Sequence, residues 1–141
     1  AHVLAALGVR HGMVVYGKDG SDEISAAAPT TICEFTPALS PLMKCGPKIY
    51  LARGLASGFG RRGSENECLI TRRVFDGEKS GARTAVLLNA GAGLYIGGQA
   101  QDFASGVRKA ARLIDSGSAR QKLDDFIVMS IAWARLKKWK S

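Results

Sequence analysis

The chain has few of the residues that build metal cages or disulfide frameworks. Its 141 residues include only three cysteines and two histidines. Cys33, Cys45 and Cys68 are an odd number of cysteines at spacings that match no zinc pattern. We therefore expect free thiols in a reducing compartment, and the cytoplasm is the expected location. The chain shows no basic segment followed by an apolar block and a cleavage site, so no secretion is expected.

Long hydrophobic runs and acidic residues are also scarce. The longest apolar run, residues 85–98, is interrupted by Asn89 and by glycines, and it falls short of the roughly 18 to 20 residues that a membrane span needs. We therefore expect no transmembrane helix and no membrane partner. Against 20 Lys and Arg there are 12 Asp and Glu, which gives a net charge of +8. This excess predicts attraction to polyanions and leaves phosphorylated small molecules, nucleic acid and acidic partners open.

The first third of the chain favours an α/β fold. With 46% hydrophobic residues, the chain can bury the core of one domain. Residues 1–7 have helical composition, Gly8 can end that helix, and residues 13–16 form a short apolar run typical of a strand. A helix followed by a strand is half of a βαβ unit, which indicates a mostly parallel sheet flanked by helices. Further strands are expected at 23–27, 30–35 and 48–51.

Four helices are expected in the second half. One begins at the capping-box sequence of residues 64–67 and runs to about Asp76, and a largely buried one spans 82–98. Asp102 and Ser118 are expected to cap the last two. The last helix carries apolar residues at helical spacing, namely Leu123, Phe126, Ile127, Ile131 and Ala134. In the helix at 82–98, Gly91 and Gly93 each cost about 1 kcal/mol relative to alanine, so tight packing or a nearby ligand is expected there.

The candidate metal ligands are Asp22 and Glu23, in a glycine-rich turn that follows the strand at 13–16. Gly17 and Gly20 let the chain turn sharply and let a ligand approach the backbone. Adjacent carboxylates in a regular strand point to opposite faces, but in an irregular turn both can reach one Mg²⁺ ion, which prefers oxygen ligands. From spacing alone, a solvated acidic turn is the favoured interpretation.

Two basic segments are weaker candidates for anion binding. Arg61 and Arg62 lie between glycines and could clamp a phosphate, although solvated loop charges are the simpler interpretation. The last residues interleave Trp133 and Trp139 with the cations Arg135, Lys137, Lys138 and Lys140. Such cations complement the negative end of a helix dipole, which is the default interpretation. Nucleic-acid stacking and membrane-surface docking are the alternatives for this tail.

Three passages carry a resemblance to a known family. The first is residues 7–9 leading into 14–25, VVYGKDGSDEIS, and the second is residues 65–66 with 74–81, VFDGEKSG, and 86–95, VLLNAGAGLY. The third is residues 111–119, ARLIDSGSA. In order and spacing these passages resemble the anthranilate phosphoribosyltransferases, which share their fold with pyrimidine nucleoside phosphorylases. The passage from Pro37 to Gly63 has no counterpart that carries the resemblance.

The resemblance implies a function and a site. Members of this family transfer a phosphoribosyl group from phosphoribosyl pyrophosphate to anthranilate in tryptophan biosynthesis, and often act as homodimers. Their Asp-Glu pair, here Asp22 and Glu23, holds Mg²⁺ that binds the pyrophosphate. This sequence departs from the family at Tyr16, where histidine is common, and at Ser21, where leucine is frequent.

The resemblance also implies that this chain holds only part of an active site. The chain resembles the C-terminal part of the family's α/β domain. The helical N-terminal domain, the phosphate-cradling glycine loop, the Lys-His-Gly segment and the anthranilate-gripping arginine would precede it. The isolated 141 residues are therefore expected to be inactive and to bind Mg²⁺ with phosphoribosyl pyrophosphate weakly.

Two other functions remain open from the sequence. A nucleic-acid-binding relative of the same fold without transferase activity would suit the net charge of +8 and the basic tail. A nucleoside phosphorylase of the same fold would instead release free base in the presence of phosphate, and the Asp-Glu turn disfavours it.

Overall fold

The chain forms a short sheet in its first part and a layer of helices in its second. The structure, a computed structural model, describes residues 1–36, 44–46 and 65–138, and their side chains in 1–36 and 69–133. The strands and helices are, in chain order, α1 (His2–Ala6), β1 (Gly12–Gly17), β2 (Thr30–Phe35), β3 (Lys44–Gly46), α2 (Glu65–Phe75), α3 (Gly81–Ile96), α4 (Phe103–Asp115) and α5 (Ser118–Lys138).

The sheet is antiparallel, with its strands in the order β1-β2-β3. Gly12 lies opposite Phe35 at one end of the β1–β2 pair, and Gly17 lies opposite Thr30 at the other. The connection between these strands, residues 18–29, contains no helix, so the chain reverses direction, whereas a parallel pair needs a longer crossover, usually helical. A mostly parallel sheet is therefore not found in the described residues. The expected strand at 23–27 is wrong, since this segment is part of the connection.

The core lies between the sheet and helices α3 and α4. One cluster of this core comprises the buried residues Ile24, Ile32, Ala92 and Phe103, with Met13, Val15, Leu88, Tyr95 and Val107 packed against them. Alternation along β1 directs Met13 and Val15 inward, while Val14 and Tyr16 are exposed. Full burial of a side chain such as Ile24, which is 1% exposed, contributes about 1.5 to 3 kcal/mol. The connection between β1 and β2 is thus anchored in the core through Ile24.

Helices α3 and α4 approach each other at two glycines. A Cβ atom on Gly91 would lie 2.6 Å from the backbone nitrogen of Val107, and one on Gly106 would collide with the carbonyl oxygen of Gly91. Only glycine at both positions allows this backbone-to-backbone distance. By contrast, a Cβ on Gly93 would meet nothing within 4 Å. Tight packing is therefore confirmed at Gly91 and is not found at Gly93, where the alternative of a nearby ligand stays a prediction.

Of the two expected caps that are described, Asp102 is confirmed at α4, whereas Ser118 is wrong, because it is already the first residue of α5. The Asp102 side chain accepts a hydrogen bond from the Ser105 backbone N–H at 2.6 Å, and Ser105 completes a capping box. The side chain of Ser80 caps α3 by accepting from the Arg83 N–H at 3.3 Å. The expected cap at Ser64 and the expected strand at 48–51 lie outside the described residues.

Helix α5 does not bury the apolar stripe that its spacing indicates. Phe126 is 68% exposed and Ile131 is 51% exposed, while Leu123 is half-buried. In the part of the chain that the structure describes, α5 packs against α4. None of the described helices combines the length and hydropathy required to cross a membrane.

Cys33 corrects the expectation of free thiols, because it is disulfide-bonded. It lies on β2, and the register places Cys45 of β3 directly opposite it. Opposed residues on antiparallel strands have Cα atoms about 4.5 to 5.5 Å apart, which is within the range that disulfides span. The pairing of β2 with β3 therefore brings these two positions together. The side chains of the other two cysteines lie outside the described residues.

The two glycines of α3 should respond to alanine in opposite directions. We expect Gly91→Ala to lower the free energy of unfolding by about 1 to 3 kcal/mol, because the new methyl group meets the backbone of α4. Gly93→Ala, the matched control, should raise it by about 0.4 to 1 kcal/mol because alanine favours the helix. Urea unfolding followed by circular dichroism measures both. Equal effects from both variants would contradict the proposed helix crossing.

Candidate functional site

The two candidate metal ligands lie together on the connection between β1 and β2. Asp22 and Glu23 are both exposed. Neither side chain makes a hydrogen bond or an ion pair with any other described residue. They are therefore two adjacent carboxylates with uncommitted oxygen atoms, on a short loop whose remaining residues are held in place.

The first half of the loop is a tight turn. The Gly17 N–H donates to the carbonyl of Ser21 at 2.9 Å, and the Gly20 N–H donates to the carbonyl of Gly17 at 3.0 Å. Gly20 has φ +86°, a left-handed conformation that glycine adopts without strain. A Cβ on Gly17 would lie 2.5 Å from Oδ1 of Asp19. Both glycines therefore shape this turn as expected. Gly20 does so through its left-handed backbone conformation, and Gly17 because there is no room for a side chain.

Ser25 ties the second half of the loop to the first. Its hydroxyl donates to Oδ2 of Asp19 at 2.6 Å and accepts from the N–H groups of Ala27 and Ala28, each at 3.0 Å. Its own N–H donates to Oγ1 of Thr30 at 3.0 Å. Ser25 and Thr30 are 5% and 1% exposed, so the bond between them is shielded from water.

Asp19 differs from the other two carboxylates of the loop. The hydroxyl of Ser25, and after it the backbone N–H of Ser21, hold the pKa of Asp19 below its usual value of 3.8. Both groups donate to the ionised form and so favour it. The two oxygens of Asp19 are occupied by these bonds. Asp19 thus organises the turn, whereas the side chains of Asp22 and Glu23 make no such bond with the described residues.

One side chain from the helical layer holds the loop. Oδ1 of Asn89, on α3, accepts from the Ile24 N–H at 2.9 Å. Nδ2 of Asn89 donates to the Ile24 carbonyl at 3.0 Å, and also to the carbonyl of Ala85 at 3.0 Å. The amide therefore pairs with the backbone of the residue that follows Glu23, in the manner of a neighbouring strand.

The chemistry of these donors fits Mg²⁺. This ion is usually held in proteins by one or two carboxylates, while water and substrate phosphates supply its other ligands. Asp22 and Glu23 provide two carboxylates beside each other. Within the described ranges no cluster of three or more His, Cys, Asp or Glu side chains could form an all-protein metal cage. The site therefore suits an ion that shares its coordination with a phosphorylated ligand.

A second polar cluster lies at the opposite end of the β1–β2 pair. Nε2 of His11 is 3.0 Å from Oε1 of Glu34, and the hydroxyl of Tyr95 donates to the same oxygen at 2.7 Å. The rings of His11 and Tyr95 meet edge to face, with centroids 5.2 Å apart. Since Gly12 and Gly17 bound opposite ends of β1, this cluster is separate from the acidic loop and joins the sheet to α3.

The other expected basic sites are not brought to the loop by any described contact. Arg61 and Arg62 lie outside the described residues, as do the side chains of Arg135, Lys137, Lys138, Trp139 and Lys140. Trp133 is 65% exposed. The roles of Ser25 and Asn89 were not expected from the sequence. The signal for Asn89 was present, as a single amide within an apolar helical run.

The chain is similar to known proteins over most of its length. A sequence-family model described as "Glycosyl transferase family, a/b domain" matches residues 1–120. The chain is 44% identical over 131 residues to the anthranilate phosphoribosyltransferase of Polynucleobacter asymbioticus, a match that covers 92% of this chain and 38% of the relative. It is 42% identical over 134 residues to the enzyme of that name from Myxococcus xanthus, covering 90% and 38%.

A solved structure shows the same relationship. The crystal structure of anthranilate phosphoribosyltransferase from Thermus thermophilus superposes with a TM-score of 0.64 at 30% identity, covering 89% of this chain and 37% of that one. The chain thus spans 38% of the length of the two relatives above.

The pKa of Asp19 predicts how the loop responds to acid. A carboxyl whose pKa is lower in the folded chain stabilises the fold above its unfolded pKa, and this contribution is lost as the pH falls through the lower folded value. We therefore expect Asp19→Ala to lower the urea midpoint at about pH 7, and the difference from wild type to shrink below about pH 3.8. Unfolding in urea at a series of pH values measures this.

The control is Asp22→Ala, which removes a carboxylate that has no hydrogen bond within the described residues. We expect it to leave the midpoint at neutral pH unchanged. A pH-independent loss of stability in Asp19→Ala would show that the charge of Asp19 is not what holds the turn.

Proposed function

Because the chain belongs to the glycosyl transferase family with an a/b domain, we propose that it forms the metal-binding part of an anthranilate phosphoribosyltransferase. In this proposal Asp22 and Glu23 hold Mg²⁺, and the substrates are phosphoribosyl pyrophosphate and anthranilate. The observation that carries the proposal is the pair of exposed, uncommitted carboxylates on an otherwise internally bonded loop. The names of the relatives and of the structural neighbour support the choice of substrates.

The chemistry requires such a pair of carboxylates. Displacement at the sugar carbon releases pyrophosphate, on which negative charge grows as the bond breaks, and a bound divalent cation neutralises this charge. The contribution of this chain is to hold Asp22 and Glu23 at the protein surface with their oxygens free. The surrounding hydrogen bonds keep the other polar groups of the loop from competing for them.

We further propose that these residues act with groups outside this chain. Two carboxylates leave most of the coordination of Mg²⁺, and all direct contacts to anthranilate, to be supplied by others. The chain's coverage of 38% of its relatives supports this division of the site.

A parallel sheet continuing from the outer edge of β1, a homodimer and a cytoplasmic location belong to the same proposal. Among the described strands, β1 pairs with β2 alone, which leaves its other edge available.

The alternative functions receive less support. Nucleic-acid binding relied on the basic tail, most of whose side chains lie outside the described residues, and the relatives named above are phosphoribosyltransferases. The exposed Trp133 gives that alternative its only structural support within residues 69–133.

Removal of both carboxylates should abolish transfer without unfolding the protein. In a protein of the relatives' full length that carries this chain, we expect Asp22→Ala with Glu23→Ala to lower kcat/KM for phosphoribosyl transfer by at least about 100-fold, because the metal's charge stabilisation is lost. The measurement is steady-state kinetics over a range of Mg²⁺ concentrations, with circular dichroism to check the fold.

The matched control is Asp124→Ala with Asp125→Ala on α5. It removes the same charge from exposed surface ion pairs, 3.5 Å from Arg120 and 3.8 Å from Lys122, which contribute little to stability. We expect wild-type kinetics from this control. Unchanged kinetics in the Asp22 and Glu23 variant would overturn the metal assignment.

A further inference from the structure

The loop presents its two free carboxylates between two fixed points. On the upstream side, Ser21 is held by its N–H bond to Oδ1 of Asp19 at 3.2 Å and by the Gly17 N–H bond to its carbonyl at 2.9 Å. On the downstream side, Ile24 is held by Asn89. Only Asp22 and Glu23 lie between these points. Their side chains contribute no bond that would fix their own backbone.

The downstream fixed point is formed by Asn89 and by the burial of Ile24. The Ile24 side chain is 1% exposed and belongs to the core. Its N–H belongs to the same peptide plane as the carbonyl of Glu23, and its own carbonyl belongs to the next plane. The two bonds from Asn89, at 2.9 and 3.0 Å, therefore fix two successive peptide planes directly after Glu23.

Both the oxygen and the nitrogen of the Asn89 amide are engaged by these contacts. Nδ2 has two protons, one of which is donated to Ile24 and the other to Ala85. An exchange of Oδ1 and Nδ2 would break all three bonds, so only one orientation of the amide is compatible with its surroundings. A side chain that lacks either the donor or the acceptor would leave a backbone group of Ile24 without its partner.

Helix α3 gives this attachment a rigid base. Two residues after Asn89, Gly91 packs directly on the backbone of α4 at Val107, so there is no room for even a methyl group between the two helices at this point. Among the described helical residues, Asn89 alone forms side-chain hydrogen bonds with the loop 18–29. The amide of Asn89 therefore fixes the position of the two carboxylates relative to the helical layer.

We infer that Asn89 is a positioning residue for the divalent cation held by Asp22 and Glu23. It acts through the backbone of Ile24 and touches neither metal nor substrate. The inference rests on the metal site proposed above. Residues that orient metal ligands from behind typically change metal affinity by about 10- to 100-fold when they are replaced, and we expect the effect of Asn89 in that range.

The test uses Mn²⁺ alone as a paramagnetic probe of the ¹⁵N-labelled chain, because broadening of amide resonances detects weak binding. In the wild type, Mn²⁺ should broaden the amides of residues 20–25 before others. In Asn89→Leu, which keeps the size of the side chain and removes all three hydrogen bonds of the amide, the Mn²⁺ concentration for half-broadening should rise by at least about tenfold. Hydrogen exchange of the Ile24 amide should accelerate in the same variant.

Tyr95→Phe is the matched control. It removes one hydrogen bond between the same helix and the sheet, from the Tyr95 hydroxyl to Glu34 at 2.7 Å, at the end away from the loop. It should lower stability while leaving both the Mn²⁺ midpoint and the Ile24 exchange rate at their wild-type values. This separates a positioning role from a general loss of helix attachment. If Asn89→Leu does not fold, Asn89→Ser, whose hydroxyl is too short to reach both groups of Ile24, replaces it.

The outcomes distinguish the two proposals. Selective broadening in the wild type with an unchanged midpoint in a folded Asn89 variant would overturn the positioning role and leave the metal site standing. A wild type in which residues 20–25 are not selectively broadened would overturn the metal site and the positioning role with it. A raised midpoint in Asn89→Leu together with a wild-type midpoint in Tyr95→Phe supports both.

Discussion

The paired hydrogen bonds between the Asn89 side chain and the backbone of Ile24 connect the acidic loop to the helices. Without them, the Ile24 N–H and carbonyl would be enclosed by apolar neighbours with no described partner, at a cost of about 1 to 3 kcal/mol each. The loop needs such an attachment because its two outermost residues are exposed carboxylates that repel each other and whose side chains bond to none of the described residues. Burial of Ile24 and the amide of Asn89 together offset that repulsion.

Helix α3 serves both ends of the sheet with different chemistry. At the loop end it uses a neutral amide, and at the other end it uses Tyr95, which shares Oε1 of Glu34 with His11. The Gly91–Gly106 contact fixes the same helix to α4. The loop end therefore has an attachment whose hydrogen bonds do not depend on the ionisation of the attached group, which suits the cation site proposed for the nearby carboxylates.

Much of the local structure could be predicted from residues alone. The strand β2 has the expected bounds, β1 differs by one residue at each end, and Asp102 caps α4 as its sequence indicates. These features depend on neighbours a few residues apart. The direction of strand pairing, the disulfide of Cys33 and the difference between Gly91 and Gly93 could not be predicted in this way, because each depends on segments that meet only in the folded chain.

The site, too, has features that follow from residue order and features that follow only from packing. The sequence determined that Asp22 and Glu23 adjoin in a glycine-rich turn, and its resemblance to a family indicated what such a pair would bind, since these features follow from residue order. Only the tertiary structure distinguished the roles of the three carboxylates in the loop. Asp19 meets Ser25 because the chain folds back, and Ile24 meets Asn89 across 65 positions because α3 packs on the sheet. A hydrogen bond requires a donor and an acceptor about 3 Å apart, and only packing brings groups so distant in the sequence that close.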